Sequence, residues 1–470
     1  MKPRLQEQGQ ALILIALAVV GLFGFSALAI DGSRVFSDRR HAQNAADTAA
    51  LAAALAKIRG ENYAQAALNR AASNGYVTDA DSSVDVHLCS EVASLNLTPA
   101  CEGLPGGADQ TQYIQVRIVS TIPTTFARII GRAQVTSVLT AIARASGSGP
   151  SPLFNGAALA ALKPDGDSTL GGNGVVTLDV NNSGVFNNSR NNCGTTINGA
   201  SGSYQVDTSF QFVSGTYCSG AGGGQLTPVQ PASQIPYPPT ITIPIPHITC
   251  SGNGSMTQST NVFGEDVRTF SPGNYGNINV SSTGHVYFQP GNYCFNGGVR
   301  IGGVVEVIAN SVQFLLTSGE FEIAGNSTFK CNDMLVHING GSGMRFNGNG
   351  GNFCNSVTFV ASTGDVSWLG TATNRFKAPT GGDYKNVLLY MPYGNSSALT
   401  LSGNSSNQFT GSIIAVSSPI TIEGVSGTTG LHSAIIGYTV TLSGHSNTTI
   451  NYDPGEQYAQ VDPSAVQLAK

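Results

Sequence analysis

Three stretches near the C-terminus repeat one pattern: "LTLSGNSS" at 399–406, "ITIEGVSG" at 420–427 and "VTLSGHSN" at 440–447. Each is a short strand-forming segment followed by glycine and small polar residues, and the units recur at intervals of 21 and 20 residues. A period near 20 built from strand–glycine units is typical of stacked coils, each laying its strands on those of its neighbour. The repeat therefore predicts a parallel β-helix.

Similar units extend the pattern towards the N-terminus. "FSPGNY" at 270–275 recurs as "FQPGNY" at 288–293. A β-sandwich with irregular hairpins is the rival fold, but it gives no reason for near-identical turns at constant spacing. We expect the β-helix over residues 250–452, with 147–226 forming either its start or a β cap on it. The other units are "VTLDVNNSG" from Val176, "VRIGG" from Val299, "FEIAGNS" from Phe321 and "MRFNGNGG" from Met344.

The composition agrees with a mainly β protein. Only 10% of the 470 residues are charged, and 58 are glycine. Glycine and asparagine tolerate positive φ, so they suit many short strands joined by tight turns. The net charge of -5 and the lack of a basic stripe with interleaved aromatics argue against nucleic acid as a partner.

Two segments divide the chain by composition. "SGSGPSP" at 146–152 is a linker by its residue types. The prolines of "TPVQPASQIPYPPTITIPIPH" at 227–247 remove backbone donors and favour extended polyproline geometry. We expect residues 227–249 to be a covering strap or a semi-rigid connector, the alternative being a ligand for a proline-recognising partner. Residues 453–470 are expected to be a C-terminal tail.

An uncharged run from Ala11 to Ile30 begins the chain after a short polar tip. About 20 residues at a rise of 1.5 Å each span a hydrocarbon core of about 30 Å, which predicts a transmembrane helix within residues 1–30. Lys2 and Arg4 favour a cytoplasmic N-terminus, whereas the arginines after the run oppose it. The alternative is a signal peptide cleaved after Ala29. The predicted anchor residues include Ala11, Leu12, Leu17, Val20, Phe23, Leu28 and Ile30.

An alanine-rich segment follows from Arg34 to Asn74, with Gly60 as its only interior break. Alanine is the best helix former, so the same helix is expected to cross the membrane and project outward. The alanines between 45 and 53 permit close approach of another helix, or pack on their own domain. Runs at 113–122 and 135–143 alternate apolar and polar residues as strands do. Residues 31–146 are therefore predicted to form a small α+β unit.

This N-terminal stretch resembles the TadE/TadG-like proteins, pseudopilin-type components of tight-adherence (Flp) pilus assembly. The resemblance covers about the first 55 residues and implies a pilin-like α+β unit, membrane insertion, a body outside the cytoplasm, and other pilus-assembly subunits as partners. Pilin-like precursors carry glutamate at the fifth mature position, where counting from Gln10 gives Leu14 here. Processing after Gly9 and stacking through a buried glutamate therefore do not follow from the resemblance. The matching residues include Gly9, Gln10, Asp31, Gln43, Asn44 and Asp47.

Eight cysteines are present, none of them in a C-x-x-C pair, and no histidine pair has metal-ligand spacing. We therefore expect no zinc site and no cofactor. An even number behind an export-type N-terminus indicates disulfides outside the cytoplasm. Sequential pairing would close short loops, but about 105 connectivities stay open. The cysteines are Cys89, Cys101, Cys193, Cys218, Cys250, Cys294, Cys331 and Cys354.

Some β-helices cleave polysaccharides with carboxylates aligned on one face. Glu320 and Glu322 lie two apart on a strand and point to one side, and Asp333, Asp365 and Asp383 follow at coil-like spacings. The alternative is scattered acids on a solvated face, and on that basis we expect no catalytic residue.

Other residues have equally ordinary explanations. The isolated histidines are typical of surface or hydrogen-bonded positions. One interpretation of the aromatic residues Trp368, Tyr390 and Tyr393 is a sugar-stacking platform. The other is packing in the core or at its rim. Asn187 and Asn395 begin glycosylation-type triplets that also arise by chance. The histidines are His285, His337, His432 and His445.

The sequence thus predicts a non-enzymatic, single-pass protein of the cytoplasmic membrane whose body faces the periplasm or the exterior. Its partners would be the lipid bilayer, pilus-assembly subunits and surface polysaccharide, with the β-helix serving adhesion or partner binding. The alternatives are a carbohydrate-active enzyme on the cell surface and a secreted adhesin cleaved after Ala29.

Overall fold

The fold is that of a computed structural model. The chain divides into two compact units, one comprising Met1–Gly149 with Val461–Lys470 and the other Pro150–Gln460. The predicted fold class, a long apolar N-terminal helix followed by a mainly β chain with a parallel β-helix, is confirmed. The structure describes residues 8–469 except 99, 105–108, 147–148, 175–176, 199–202, 221–224, 370–372, 404–406, 426–427, 446 and 463.

The first unit begins with the 51-residue helix α1, Gln8–Ile58. Gly60 interrupts the alanine-rich segment with a left-handed φ of +72°, a conformation that glycine adopts without a steric penalty. Helix α2, Tyr63–Ser73, then starts on an Asn62 cap, whose side chain accepts a hydrogen bond from the amide of Gln65. The predicted helix over 34–74 is therefore two helices, divided at the glycine.

Four antiparallel strands form the sheet of this unit: β1 (Ser82–Leu88), β2 (Tyr113–Pro123), β3 (Gln134–Ser146) and the C-terminal strand Ala465–Leu468. Part of the expected tail thus forms an edge strand, because its residues pair with the free edge of β3. Helix α3 (Cys89–Ser94) and the 3-10 helices Gln110–Gln112 and Ala127–Ile130 complete the unit.

The small-residue face of α1 packs on this sheet. Ala45, Ala46, Ala49, Ala50 and Ala53 are all fully buried, in one cluster with apolar side chains of β1, β2 and β3. Small side chains let the helix approach the strands closely and exclude water from their common surface. These alanines therefore pack on their own domain.

The second unit is a parallel β-helix of about 12 turns with three faces. Face 1 stacks Asp266–Phe270, Thr283–Phe288, the first parts of Val304–Leu316, Thr328–Ile338 and Gly351–Ala361, then Thr373–Lys377, Gln408–Thr410, Thr428–His432, Asn447–Asn451, Thr177–Asn181 and Ser203–Val206. Face 2 stacks Gly273–Tyr275, Gly291–Phe295, the second parts of the same three long strands, Val387–Met391, the first parts of Ser412–Val425 and Ile435–His445, then Leu159–Ala161, Val185–Asn187, Phe210–Phe212 and Val229–Pro231. Face 3 stacks Ile278–Val280, Val299–Ile301, Glu320–Ile323, Gly343–Phe346, Asp365–Trp368, Leu399–Gly403, the second parts of Ser412–Val425 and Ile435–His445, then Leu170–Gly174, Thr195–Asn198 and Cys218–Ser219.

Alternate side chains of every coil point inward and form one continuous core. Aromatic rings stack from coil to coil: Phe270 and Phe288 are ladder partners whose ring centroids lie 5.1 Å apart, close to the roughly 4.8 Å spacing of the strands. Gly340 has a φ of +103°, and a Cβ there would lie 2.6 Å from the carbonyl oxygen of Thr317. Close stacking of the turns therefore requires glycine at such corners.

The order of the coils differs from the order of the chain. Ile435 pairs with Leu159, so the coils formed by residues 157–231 stack on the C-terminal end of the 266–451 stack. A short strand, Met256–Thr260, pairs antiparallel with Asp266–Phe270 at the opposite end. The segment expected as the start or cap of the β-helix thus lies at the far end from residue 250, and the chain must return along the whole stack to begin the next coil. Gly149–Pro152 and Ala459–Asp462 form a separate two-stranded ladder.

The proline-rich segment makes this return and lies on face 2; we call residues 232–249 the strap. About 18 residues in polyproline geometry reach about 56 Å, which matches 12 strands at about 4.8 Å. Its contacts descend the stack in order: Ile235 bonds Asn188 at 2.8 Å, Tyr237 bonds Ser417 at 3.1 Å, and the carbonyl of Pro244 accepts from Tyr384 at 3.1 Å. The strap therefore covers face 2 from end to end.

Candidate functional site

The apolar half of α1 is the first candidate site, because its side chains are exposed. Leu17 is 65%, Val20 70% and Phe23 69% exposed. The most apolar stretch of 18 residues in this helix has a mean hydropathy of 2.7, and none of its residues is buried within the structure. Leu12, Leu28 and Ile30 are also exposed. Lys2 and Arg4 lie outside the described residues, as do the side chains of Gln10 and Ala11, whereas the backbone of Gly9 belongs to α1.

Asp31 ends the apolar run and is 5% exposed. Its carboxylate accepts hydrogen bonds from the amides of Thr125 (3.0 Å), Phe126 (2.7 Å) and Ala127 (2.6 Å). A carboxylate at the start of a 3-10 helix satisfies amides that otherwise have no helical partner. Asp31 therefore joins α1 to the loop between β2 and β3.

Gln43 and Asp47 lie one turn apart on α1. The Gln43 amide donates to Asp47 at 2.8 Å and to the backbone oxygen of Thr140 at 3.3 Å. Asn44 lies on the exposed side of the helix. Gln43 thus joins α1 to β3, while Asp47 accepts a hydrogen bond from Gln43 on the same helix.

The acids considered for catalysis fall into two separate groups. On face 3, Glu322 lies between Arg300 at 3.3 Å and Arg345 in the next coil, and Arg345 also contacts Glu320 at 3.2 Å and Asp365 at 3.6 Å. Burial raises the pKa of Glu320. Alternating charges on successive coils form an ion-pair ladder. These carboxylates therefore bind arginines of neighbouring coils and serve a structural role.

Asp333 and Asp383 belong to the second group. Both line a groove of about 440 Å³ at the corner of faces 1 and 2, with Ser356, Thr358 and Tyr384. Among the described residues no group of three or more His, Cys, Asp or Glu side chains is arranged to hold a metal ion. The acids considered for a catalytic row are therefore divided between face 3 and the corner of faces 1 and 2.

His285 belongs to a second charge ladder on face 1. Its ring nitrogens lie 2.9 Å from Glu265 and 3.0 Å from Glu306, and Lys330 lies 2.6 Å from Glu306. The hydrogen bond to Glu265 raises the pKa of His285, and the Lys330 ammonium lowers the pKa of Glu306. Four successive coils thus alternate acidic and basic side chains.

The other predicted histidines differ in their surroundings. His337 is buried, bonds Ser362 at 2.9 Å, and has a pKa lowered by that burial. His432 lies 3.9 Å from Glu456. The side chain of His445 lies outside the described residues.

The aromatic platform does not form. Trp368 is fully buried in the core and Tyr390 is 6% exposed beneath the strap, whereas Tyr393 is 62% exposed. Asn187 and Asn395 are likewise buried and hydrogen-bonded, Asn187 to Thr195 at 2.8 Å. A buried amide is out of reach of a glycosylating enzyme, so neither triplet is a surface acceptor in the folded protein.

Sequence reasoning missed one basic groove, which we call the face 1 groove. Its lining includes Arg375, Lys377 and His432 as basic residues, Glu456 as an acid, and Phe353 and Gln408, and its volume is about 310 Å³. The guanidinium of Arg375 lies 6.0 Å from the centroid of the Phe353 ring, a cation–π distance. These residues come from successive coils about 22 to 33 positions apart, so only the coil register brings them together.

All eight cysteines form disulfides, paired in sequential order. Cys193–Cys218 and Cys331–Cys354 join neighbouring coils, because their strands are adjacent in the stack. Cys250–Cys294 ties the end of the strap to face 2, and Cys89–Cys101 closes the loop after β1. Such a set of disulfides is typical of proteins outside the cytoplasm.

These features define a class: a protein with an exposed apolar helix, a small α+β unit and a disulfide-linked β-helix. Residues 9–56 match the family model of Flp pilus-assembly TadE/G-like proteins. The chain therefore carries a TadE/G-like module at its N-terminus, which associates it with Flp pilus assembly. The exposed helix and this match together indicate a membrane-anchored protein. Searches of curated proteins and of solved structures found no match.

Proposed function

We propose that the protein is a pseudopilin-like, non-enzymatic component of Flp pilus assembly, held in the cytoplasmic membrane by α1. The observation that carries this proposal is the exposed apolar half of α1 within the TadE/G-like module. The four disulfides support a body in the periplasm or outside the cell. The arginine-paired acids of face 3 support a structural rather than a catalytic role.

A double arginine variant tests this anchor in a host that assembles Flp pili. Arginine at the centre of a spanning helix costs about 2.5–3.5 kcal/mol, so Leu17→Arg/Val20→Arg should prevent stable insertion and reduce the number of surface pili. Leu95→Arg is the control, because Leu95 is also exposed (62%) but lies outside the apolar run. An unchanged number of pili in a strain that lacks the protein would contradict a role in assembly.

The β-helix would serve adhesion through the face 1 groove. Arg375 and Lys377 supply positive charge and Phe353 an exposed ring surface, 39% exposed. Guanidinium groups bind carboxylates in a bidentate manner, and aromatic faces pack against the C–H faces of sugar rings. The ligand class is therefore an acidic polysaccharide.

Binding of the full-length protein in nanodiscs to polygalacturonate, with neutral dextran as reference, tests the groove. Arg375→Gln/Lys377→Gln should abolish the preference for the acidic polymer. Lys163→Gln/Arg190→Gln removes the same charge elsewhere on the β-helix and should retain it. Equal losses in the two variants would show an effect of net charge alone, and no binding by the unmodified protein would refute the proposed surface.

A further inference from the structure

The loop between β2 and β3, residues 124–133, exposes apolar side chains to an unusual degree. Ile129 is 85%, Ile130 69% and Phe126 38% exposed. They lie on or beside the 3-10 helix Ala127–Ile130, which ends on Gly131 with a φ of +87°. Adjacent exposed apolar side chains on one turn form the kind of patch that marks an interaction site.

This loop is fixed beside the end of the apolar run of α1. Asp31, which directly follows Ile30, holds the amides of Thr125 to Ala127. Arg34, one turn further along α1, donates to the Thr125 hydroxyl at 3.2 Å. With α1 inserted as proposed above, the loop lies level with the boundary between the hydrocarbon and the headgroups.

The charges around the loop favour an anionic surface. Five arginines and two aspartates lie within residues 31–40 and 124–133, a net charge of +3 in a chain whose total is -5. The two aspartates are engaged, Asp31 by the loop amides and Asp38 by the Tyr76 hydroxyl at 2.9 Å. The arginines, all of them exposed, are Arg34, Arg39, Arg40, Arg128 and Arg132.

We propose that residues 124–133 form a second membrane contact, which rests on the proposed insertion of α1. Ile129 and Ile130 enter the interfacial region of the leaflet next to the α+β unit, while Arg128 and Arg132 bind anionic phospholipid headgroups. Apolar residues flanked by basic ones are the combination that binds such interfaces. Asp31 positions the loop, so the contact sets the depth of α1 in the bilayer.

Depth-dependent quenching tests the contact in the full-length protein. The native cysteines of the described chain are all disulfide-bonded, so single cysteines introduced as Leu17→Cys, Ile129→Cys, Ile130→Cys and Leu95→Cys can each carry an environment-sensitive fluorophore. The nanodiscs contain phosphatidylcholine, spin-labelled lipid, and either no or added phosphatidylglycerol. Position 95 is the control because it is distant from the loop. Leu95 lies beyond the end of β1, where Leu88 pairs with Ile114, and Ile114 is about 30 Å along β2 from the loop.

We expect lipid quenching at positions 17, 129 and 130 but not at 95, with stronger quenching at 129 and 130 when phosphatidylglycerol is added. Arg128→Gln/Arg132→Gln should remove this gain, because each arginine changes the ratio of membrane-bound to free loop by about fivefold. The control Arg70→Gln/Arg144→Gln should keep it. A quenched position 17 with 129 and 130 no better quenched than 95 would overturn the proposal while leaving insertion intact. Unquenched position 17 would refute the insertion itself, and cross-linking between copies through position 129 without quenching would assign the loop to a protein partner.

Discussion

The strap offers a stringent test of the fold, because it alternates between buried and exposed positions. Ile243 is 6% exposed and packs in the outer cluster of face 2 with residues such as Val360, Tyr390 and Ile414. Ile245, two residues on, is 48% exposed. Replacing each by alanine therefore removes the same atoms from two different environments.

The expected difference follows from burial. Isoleucine-to-alanine removes three carbons, at about 0.8 kcal/mol each when fully buried, or about 2.4 kcal/mol. A residual cavity beneath the strap adds to this, so Ile243→Ala should cost about 2–4 kcal/mol. At Ile245 the side chain is half in solvent and leaves no cavity, so the cost should be about half of that transfer free energy, roughly 1 kcal/mol.

The assay is urea unfolding of the full chain in nanodiscs, followed by the fluorescence of Trp368. This residue is the only tryptophan and is fully buried in the β-helix core. Ile243→Ala should lower the unfolding midpoint clearly and Ile245→Ala only slightly. Equal midpoints for the two variants would refute the packing of the strap on face 2.

Three further predictions concern charge, disulfides and the loop. Glu265 raises the pKa of His285, so the hydrogen bond between them stabilises the fold fully below about pH 6.5 and is lost as the pH rises through the raised pKa of the folded state. His285→Gln should therefore remove this pH dependence of the unfolding midpoint. An unchanged pH dependence would contradict the assignment. Cys331→Ala/Cys354→Ala opens a bridge between residues 23 apart, so the free energy of unfolding should fall by about 3 kcal/mol in the Trp368 assay; no change would show that the bridge is dispensable. Asp31→Ala should speed hydrogen exchange at the Thr125 to Ala127 amides, whereas Asp47→Ala should not.

The β-helix follows from the sequence because its turns repeat. Leu399 pairs with Ile420 and Ile420 with Val440, the same alignment that the three repeats give. The "PGNY" repeat is less faithful: Phe270 pairs with Phe288, but Gly273 pairs with Tyr293 rather than with Gly291. A turn of different length shifts the register by two residues without disturbing the inward pattern.

The order of the coils was beyond sequence reasoning. Parallel ladders bond backbone to backbone, so any coil with apolar inward positions can stack on any other. Nothing in the residues around Leu159 specifies pairing with Ile435. A signal for the strap did exist, because the outward residues of face 2, such as Ile414 and Ile436, are apolar where a solvated face would be polar.

The candidate sites were predictable only where they were local. The exposed apolar half of α1 is evident from its composition, as is the end of that run at Asp31. The partners of Asp31 lie about 95 residues away, and the face 1 groove assembles from separate coils, so both need the fold. The burial of Trp368 could not be predicted from its local sequence, since a single residue in a strand does not reveal whether its side chain points into the core or to solvent.

The membrane anchor is tested most directly by the mature protein itself. Intact mass and N-terminal sequencing of the native product, after alkaline extraction of membranes, should find a chain that retains Leu12 to Ile30 and stays in the membrane fraction. A product that begins at Ile30 and appears among the soluble proteins would contradict the account.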